Sequence, residues 1–317
     1  MDEYFETLLA QEQVISHYAA VISGVSFLTI PALIYLIQTH LASQGKPFSL
    51  KTLLTPFNAT LLGLAISFTG LCAADSYAVS SGFNPQVRAN CGAVQAVFAC
   101  SYHTCYIIYS YNRGIAIIKL HLPKLKRFMK FLLYIIPCIF YTSLVPQITA
   151  TVLAEVQPST SPELLNLLGN VAQAVNAAGS ISAAMFDGIL LASFFKGTIA
   201  FRQKNGLNVD EMRLVIISKY GTSAIVVYFI SNGFFVASFS VPHGVFADEL
   251  MQVAQTLLFF VYLILVGMKV ELQRNSDNSS SVGPGYAPKN SVPSITNKKT
   301  SNVSAAMEDS ATCQKMV

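Results

Sequence analysis

Apolar and polar positions along this chain are blocked rather than interleaved. Seven apolar runs, at residues 14–38, 53–79, 89–111, 131–153, 165–195, 215–239 and 246–270, alternate with short polar or basic stretches. The hydrocarbon layer of a membrane is about 30 Å thick, and a helix rising about 1.5 Å per residue crosses it with roughly 20 apolar residues. Each run meets that length. None shows the period-two alternation of a barrel strand, and a lone strand would leave its backbone groups unpaired in lipid. The pattern predicts an all-α membrane protein, a seven-transmembrane helix bundle over residues 14–272, preceded by a short extracellular N-terminus at 1–13. Residues 273–317 are rich in Ser, Thr, Gly and Pro with little apolar mass to bury, and read as a disordered cytoplasmic tail.

Orientation follows from where lysine and arginine fall. One set of connections holds Lys46 and Lys51, then Arg113, Lys119, Lys124, Lys126, Arg127 and Lys130, then Lys196, Arg202, Lys204 and Arg213, with Lys269, Arg274 and the tail lysines on the same side. The opposite set holds only Arg88, and the N-terminus is acidic, with Asp2, Glu3, Glu6 and Glu12. The expectation is an N-terminus outside and a C-terminus in the cytoplasm, in a multi-pass protein of the plasma membrane. The first run lacks a basic leader and a small-residue cleavage site, so it reads as a retained helix. The chain is 53% hydrophobic and 11% charged with net charge +4, a basic surplus that suits anionic membrane lipid and acidic partners rather than nucleic acid. Cys91 lies at the outer mouth of the third run, where Cys72 is its one plausible disulfide mate; a thiol within a helix otherwise serves as small apolar filler.

Charges inside apolar runs demand a reason, because hydrocarbon penalises them by several kcal/mol. Asp187 in the fifth run and Lys219 in the sixth fall at one depth. They read either as an intramembrane ion pair, or as a lysine that snorkels to the headgroups beside an aspartate that is protonated or bonded to a neighbouring hydroxyl. In the outer halves Gln95, Phe98 and Tyr102, with Asn176, Asn232, Phe235, Gln252 and Gln255, share another depth. Buried amides also serve as interhelical glue. Their common level predicts a concave ligand pocket for a neutral or weakly polar small molecule.

The stretch YSYNRGIAIIK, residues 109–119, ends the third run, and NRGIAI within it resembles the D/E-R-Y-x-A-I signature of rhodopsin-like G-protein-coupled receptors. Arg, Ala and Ile match in register, while Asn112 replaces the acid and Gly114 the tyrosine. The resemblance implies that Arg113 contacts a heterotrimeric G protein in the active state, and that Asp210 or Glu211 at the base of the sixth run is its lock partner when inactive. The chain departs from the family in having no N-P-x-x-Y in the seventh run and no tryptophan at all. Gln95 stands where amine receptors carry an aspartate, and no lysine lies in the middle of the seventh run, so the implied extracellular small-molecule ligand is neither an amine nor retinal. The plainer reading of Arg113 is a boundary arginine bound to phosphate headgroups.

A seven-helix transporter, proton-coupled through Asp75, Asp187 and Lys219, is the rival reading. No enzyme is expected, because His17, His40, His103, His121 and His243 are scattered and no nucleophile has a base beside it in the sequence. For the same reason neither a metal nor a cofactor is expected.

Overall fold

The computed structural model describes residues 2–45, 47–80, 84–157, 159–202, 209–240 and 245–281; side chains near most helix ends, those of 201–211 among them, lie outside the described residues. The elements are α1 (Asp2–Ser43), a single turn α2 (Leu50–Leu53), α3 (Pro56–Ser80), α4 (Pro85–His121), α5 (Lys126–Val156), α6 (Pro162–Arg202), α7 (Val209–Ser240) and α8 (Val245–Ser281). Seven of these are long and apolar enough to cross a membrane, as a multi-pass protein requires. Starts and stops have local causes. Pro56, Pro85 and Pro162 open their helices, where the missing N–H is one that no helix would have used. Asn84 caps α4 by accepting from the backbone N–H groups of Gln86 and Val87 at 3.1 and 3.4 Å. After α1 the chain turns through Gly45 at φ 65°, a conformation that a side chain resists.

The helices overrun the apolar runs that announce them. α1 is helical from Asp2, α8 continues to Ser281, and α4 runs ten residues beyond Tyr111. In α4 the cause is visible: Ile117 and Ile118 are completely buried, so the apolar stripe continues after the charge at Arg113. That extension places Arg113 inside the bundle and not at its foot.

Neighbouring helices pack in the order α1, α3, α4, α5, α6, α7, α8 and back to α1, with α4 also against α6 and α7. Tyr102 and Tyr109 donate to the carbonyls of Leu258 and Leu265, the same sequence separation of 156 in both cases, so α4 and α8 run in one direction. The surface is inverted relative to a water-soluble protein. Phe27, Leu28, Tyr35, Val145, Ile181 and Phe229 are more than half exposed, as lipid-facing side chains should be. Small hydroxyls such as Ser26, Ser143 and Ser193 are buried between helices, where small residues let backbones approach. Ser26 and Thr69 share a 2.7 Å hydrogen bond between α1 and α3.

Candidate functional site

Two features lie at opposite ends of α4. At the end that carries the N-terminus, a cavity of about 160 Å³ opens among α3, α4, α5, α7 and α8. Phe68, Tyr102, His103 and Phe235 supply rings to its wall, and Gln95, Gln147, Asn232 and Gln255 supply amides. Among the described residues, no Asp, Glu, Lys or Arg lines it. Of the sequence candidates, Gln95, Tyr102, Asn232, Phe235 and Gln255 come together here. Phe98, Asn176 and Gln252 do not line it. The Phe98 ring lies over Gly70, where an added Cβ would stand only 2.5 Å away, so it is spent on the α3–α4 contact. Gln252 turns to Asp75 instead, donating to one carboxylate oxygen at 2.9 Å, while Gln95 reaches the other at 3.5 Å. Sequence reasoning missed His103 and Gln147. His103 is the neighbour of Tyr102 and its depth was readable; Gln147 sits near the outer end of the fourth run, where a single amide carries no pattern.

Below the cavity a chain of polar rings descends through the core. His103 Nδ1 and the Tyr228 hydroxyl share a hydrogen bond of 2.7 Å, and the His103 ring stacks on Phe140. Tyr228 in turn is bonded to Asn232 and stacks on Tyr106 at 3.9 Å between centroids. The Tyr106 hydroxyl donates to both oxygens of Asp187 at 3.4 Å. Asp187 is 0% exposed and Lys219 is exposed, its Nζ 5.4 Å from the neighbouring Tyr220 ring. The structure therefore does not bring the Asp187 and Lys219 pair together; the aspartate is bonded to a hydroxyl on α4. Similar depth could not reveal this, because the two side chains leave their helices on different faces.

Seven residues, or two turns, beyond Tyr106 stands Arg113. It is 3% exposed, wedged between the rings of Tyr109 and Phe194 at 5.9 and 5.4 Å, and none of its three guanidinium nitrogens finds a hydrogen-bond acceptor among the described residues. A boundary arginine in the headgroups is thus replaced by a buried one. Among the described residues, the carboxylate within its electrostatic reach is Asp187. Gly114 lets α6 close against this region, since a Cβ there would meet Leu190 at 2.3 Å. On the far side of Tyr109 lies a second buried cation. Lys269 donates to Asn58 at 2.6 Å and lies 5.3 Å from the Phe57 ring, which itself packs on Tyr109 at 4.6 Å. This end of the core thus holds two buried cations around an aromatic pair.

Asp210 and Glu211, the lock partners implied by the family resemblance, have side chains outside the described residues. Cys72 and Cys91 are both free thiols. Among the described residues, no group of His, Cys, Asp and Glu is placed to hold a metal ion. No family model, no curated protein and no solved structure matches the chain.

Proposed function

We propose that the chain is a signal transducer of the G-protein-coupled-receptor type, taking a small neutral ligand in the cavity and engaging a heterotrimeric G protein at the basic end. The observation that carries the reading is the polar and aromatic series from His103 through Tyr228 and Tyr106 to Asp187, whose charge acts on the buried, unbonded Arg113. The lysine and arginine distribution favours the cytoplasm for that second end, and with it the plasma membrane as the setting.

The mechanism is a shift between two packings. In the resting one Arg113 is sealed behind Phe194 without an acceptor, a state that disfavours a buried charge by several kcal/mol. Any packing that opens the basic end lets Arg113 meet acceptor oxygens of a partner. A ligand in the cavity touches α4, α7 and α8 together, so it favours whichever packing fits it better. The shift can be no larger than the difference in its affinity for the two packings.

A proton-coupled carrier is the second reading, and the observation favouring it is Asp187, a buried carboxylate in series with His103, Tyr228 and Tyr106. One experiment separates the two. The protein in lipid nanodiscs, mixed with Gα and its βγ partners, should accelerate nucleotide exchange without added agonist, and Arg113→Ala should abolish the acceleration. Absence of exchange on every Gα class, together with pH-driven flux in sealed vesicles, would transfer the assignment to the carrier.

A further inference from the structure

We propose that the cavity selects an uncharged ligand whose polar end carries a hydrogen-bond donor and acceptor side by side, as a carboxamide does, on a flat apolar body. The inference rests on reading the cavity as the ligand site and goes on to name the chemistry it accepts.

Most polar groups around the cavity are already engaged. The Tyr102 hydroxyl donates to the Leu258 carbonyl at 2.7 Å and the Ser231 hydroxyl to the Ala254 carbonyl at 2.8 Å. His103 and Asn232 are both bonded to Tyr228. Gln95 leans on Asp75 at 3.5 Å. Two amides remain. Gln255 on α8 is 5% exposed, lines the cavity, and makes no side-chain hydrogen bond among the described residues. Gln147 on α5, half-buried, is in the same condition. Each offers a carbonyl acceptor and an NH₂ donor on one planar edge, so the complement of each is a group that also presents both.

Charge is excluded by the same wall. An ion entering would shed its hydration and meet no free counter-charge among the described lining residues, and Asp75 beside them already accepts from Gln252 and Gln95. The apolar body is set by Phe68, Leu71, Phe235, Met251 and Leu258. The volume of about 160 Å³ exceeds by far the ~10–15 Å³ that a single water needs on the same measure. A purely apolar ligand would leave the buried Gln255 amide and the half-buried Gln147 amide unanswered, and such groups discriminate about tenfold or more against a ligand that cannot pair them.

The test uses benzamide, benzoate and benzylammonium, three fragments of one shape and different charge, against the full chain in nanodiscs. Binding is read by saturation-transfer NMR and by the thermal midpoint. Benzamide should bind saturably, on the order of millimolar for so few atoms, and raise the midpoint. The two ions should bind at least tenfold more weakly. Gln255→Leu should weaken benzamide about tenfold, and Gln255→Glu should confer benzylammonium binding, a gain that a misfolded variant cannot imitate. Equal binding of the ions, no saturable benzamide binding, or an unchanged benzamide affinity in a folded Gln255→Leu would each overturn the inference. Benzamide binding without any Gα response would uphold it while removing the receptor reading; Gα exchange without benzamide binding would do the reverse.

Discussion

Arg113 has the least favourable surroundings of any described residue whose charge is buried. Its guanidinium gains only ring contacts from Tyr109 and Phe194, each worth about 0.5–2 kcal/mol, against a desolvation penalty of several kcal/mol. A side chain of similar length and no charge should fit the same space better. Arg113→Met is therefore expected to stabilise the bundle by roughly 1–4 kcal/mol and, on the proposed function, to eliminate Gα exchange. Thermal unfolding in nanodiscs, paired with the exchange assay, measures both; a lower midpoint for the variant would mean that Arg113 is satisfied in a way its geometry does not contain. The motif around it was legible in the sequence, but its burial was not. The apolar run ends at Tyr111 by composition, and only the turn of Ile117 and Ile118 into the core reveals that the helix carries the arginine inward. The pocket shows the same division. Shared depth found Gln95, Tyr102, Asn232, Phe235 and Gln255, whereas Phe98 and Gln252 lie at the right level and turn aside toward Gly70 and Asp75. Level is set by the count of residues; facing is set by packing partners on other helices, which no single run encodes.

Between elements, contact distance is governed by small residues. An added Cβ at Gly221 on α7 would meet three atoms of the Phe194 ring at 2.4, 2.9 and 3.0 Å, and Phe194 is itself completely buried against Arg113. A Cβ at Gly221 therefore has to displace a ring that is already packed against Arg113. Gly24 on α1 has nothing within 4 Å, so the same substitution there meets only the helix's preference for alanine. Gly221→Ala should thus destabilise by about 1–3 kcal/mol through overpacking, while Gly24→Ala should stabilise by up to about 1 kcal/mol. Thermal midpoints of the two variants in one lipid decide it, and equal shifts would refute the close α6–α7 contact at Phe194. The seven helices were legible because a bilayer imposes a length that composition reports directly. The overruns were not, since polar turns outside the lipid carry no such length constraint.

Across the whole molecule, the cavity and Arg113 are separated along α4 by ten residues from His103, about 15 Å of helix rise. At that separation, two substitutions with no shared partner should add within about 0.3–0.5 kcal/mol. The series His103, Tyr228, Tyr106, Asp187 gives them shared partners in sequence, each joined to the next by a hydrogen bond or a stacked ring. Spatial continuity alone does not establish coupling, so the relay needs an energetic demonstration. His103→Phe preserves the stack on Phe140 and removes the bond to Tyr228. Combined with Arg113→Met, its effect on unfolding free energy should depart from additivity by at least 0.5 kcal/mol. Tyr228→Phe keeps the ring on Tyr106 and removes only the hydroxyl, so in that background the non-additivity should vanish. Strict additivity in the parent background would separate the two ends of the molecule energetically, and a ligand in the cavity would then need a different route to the basic face.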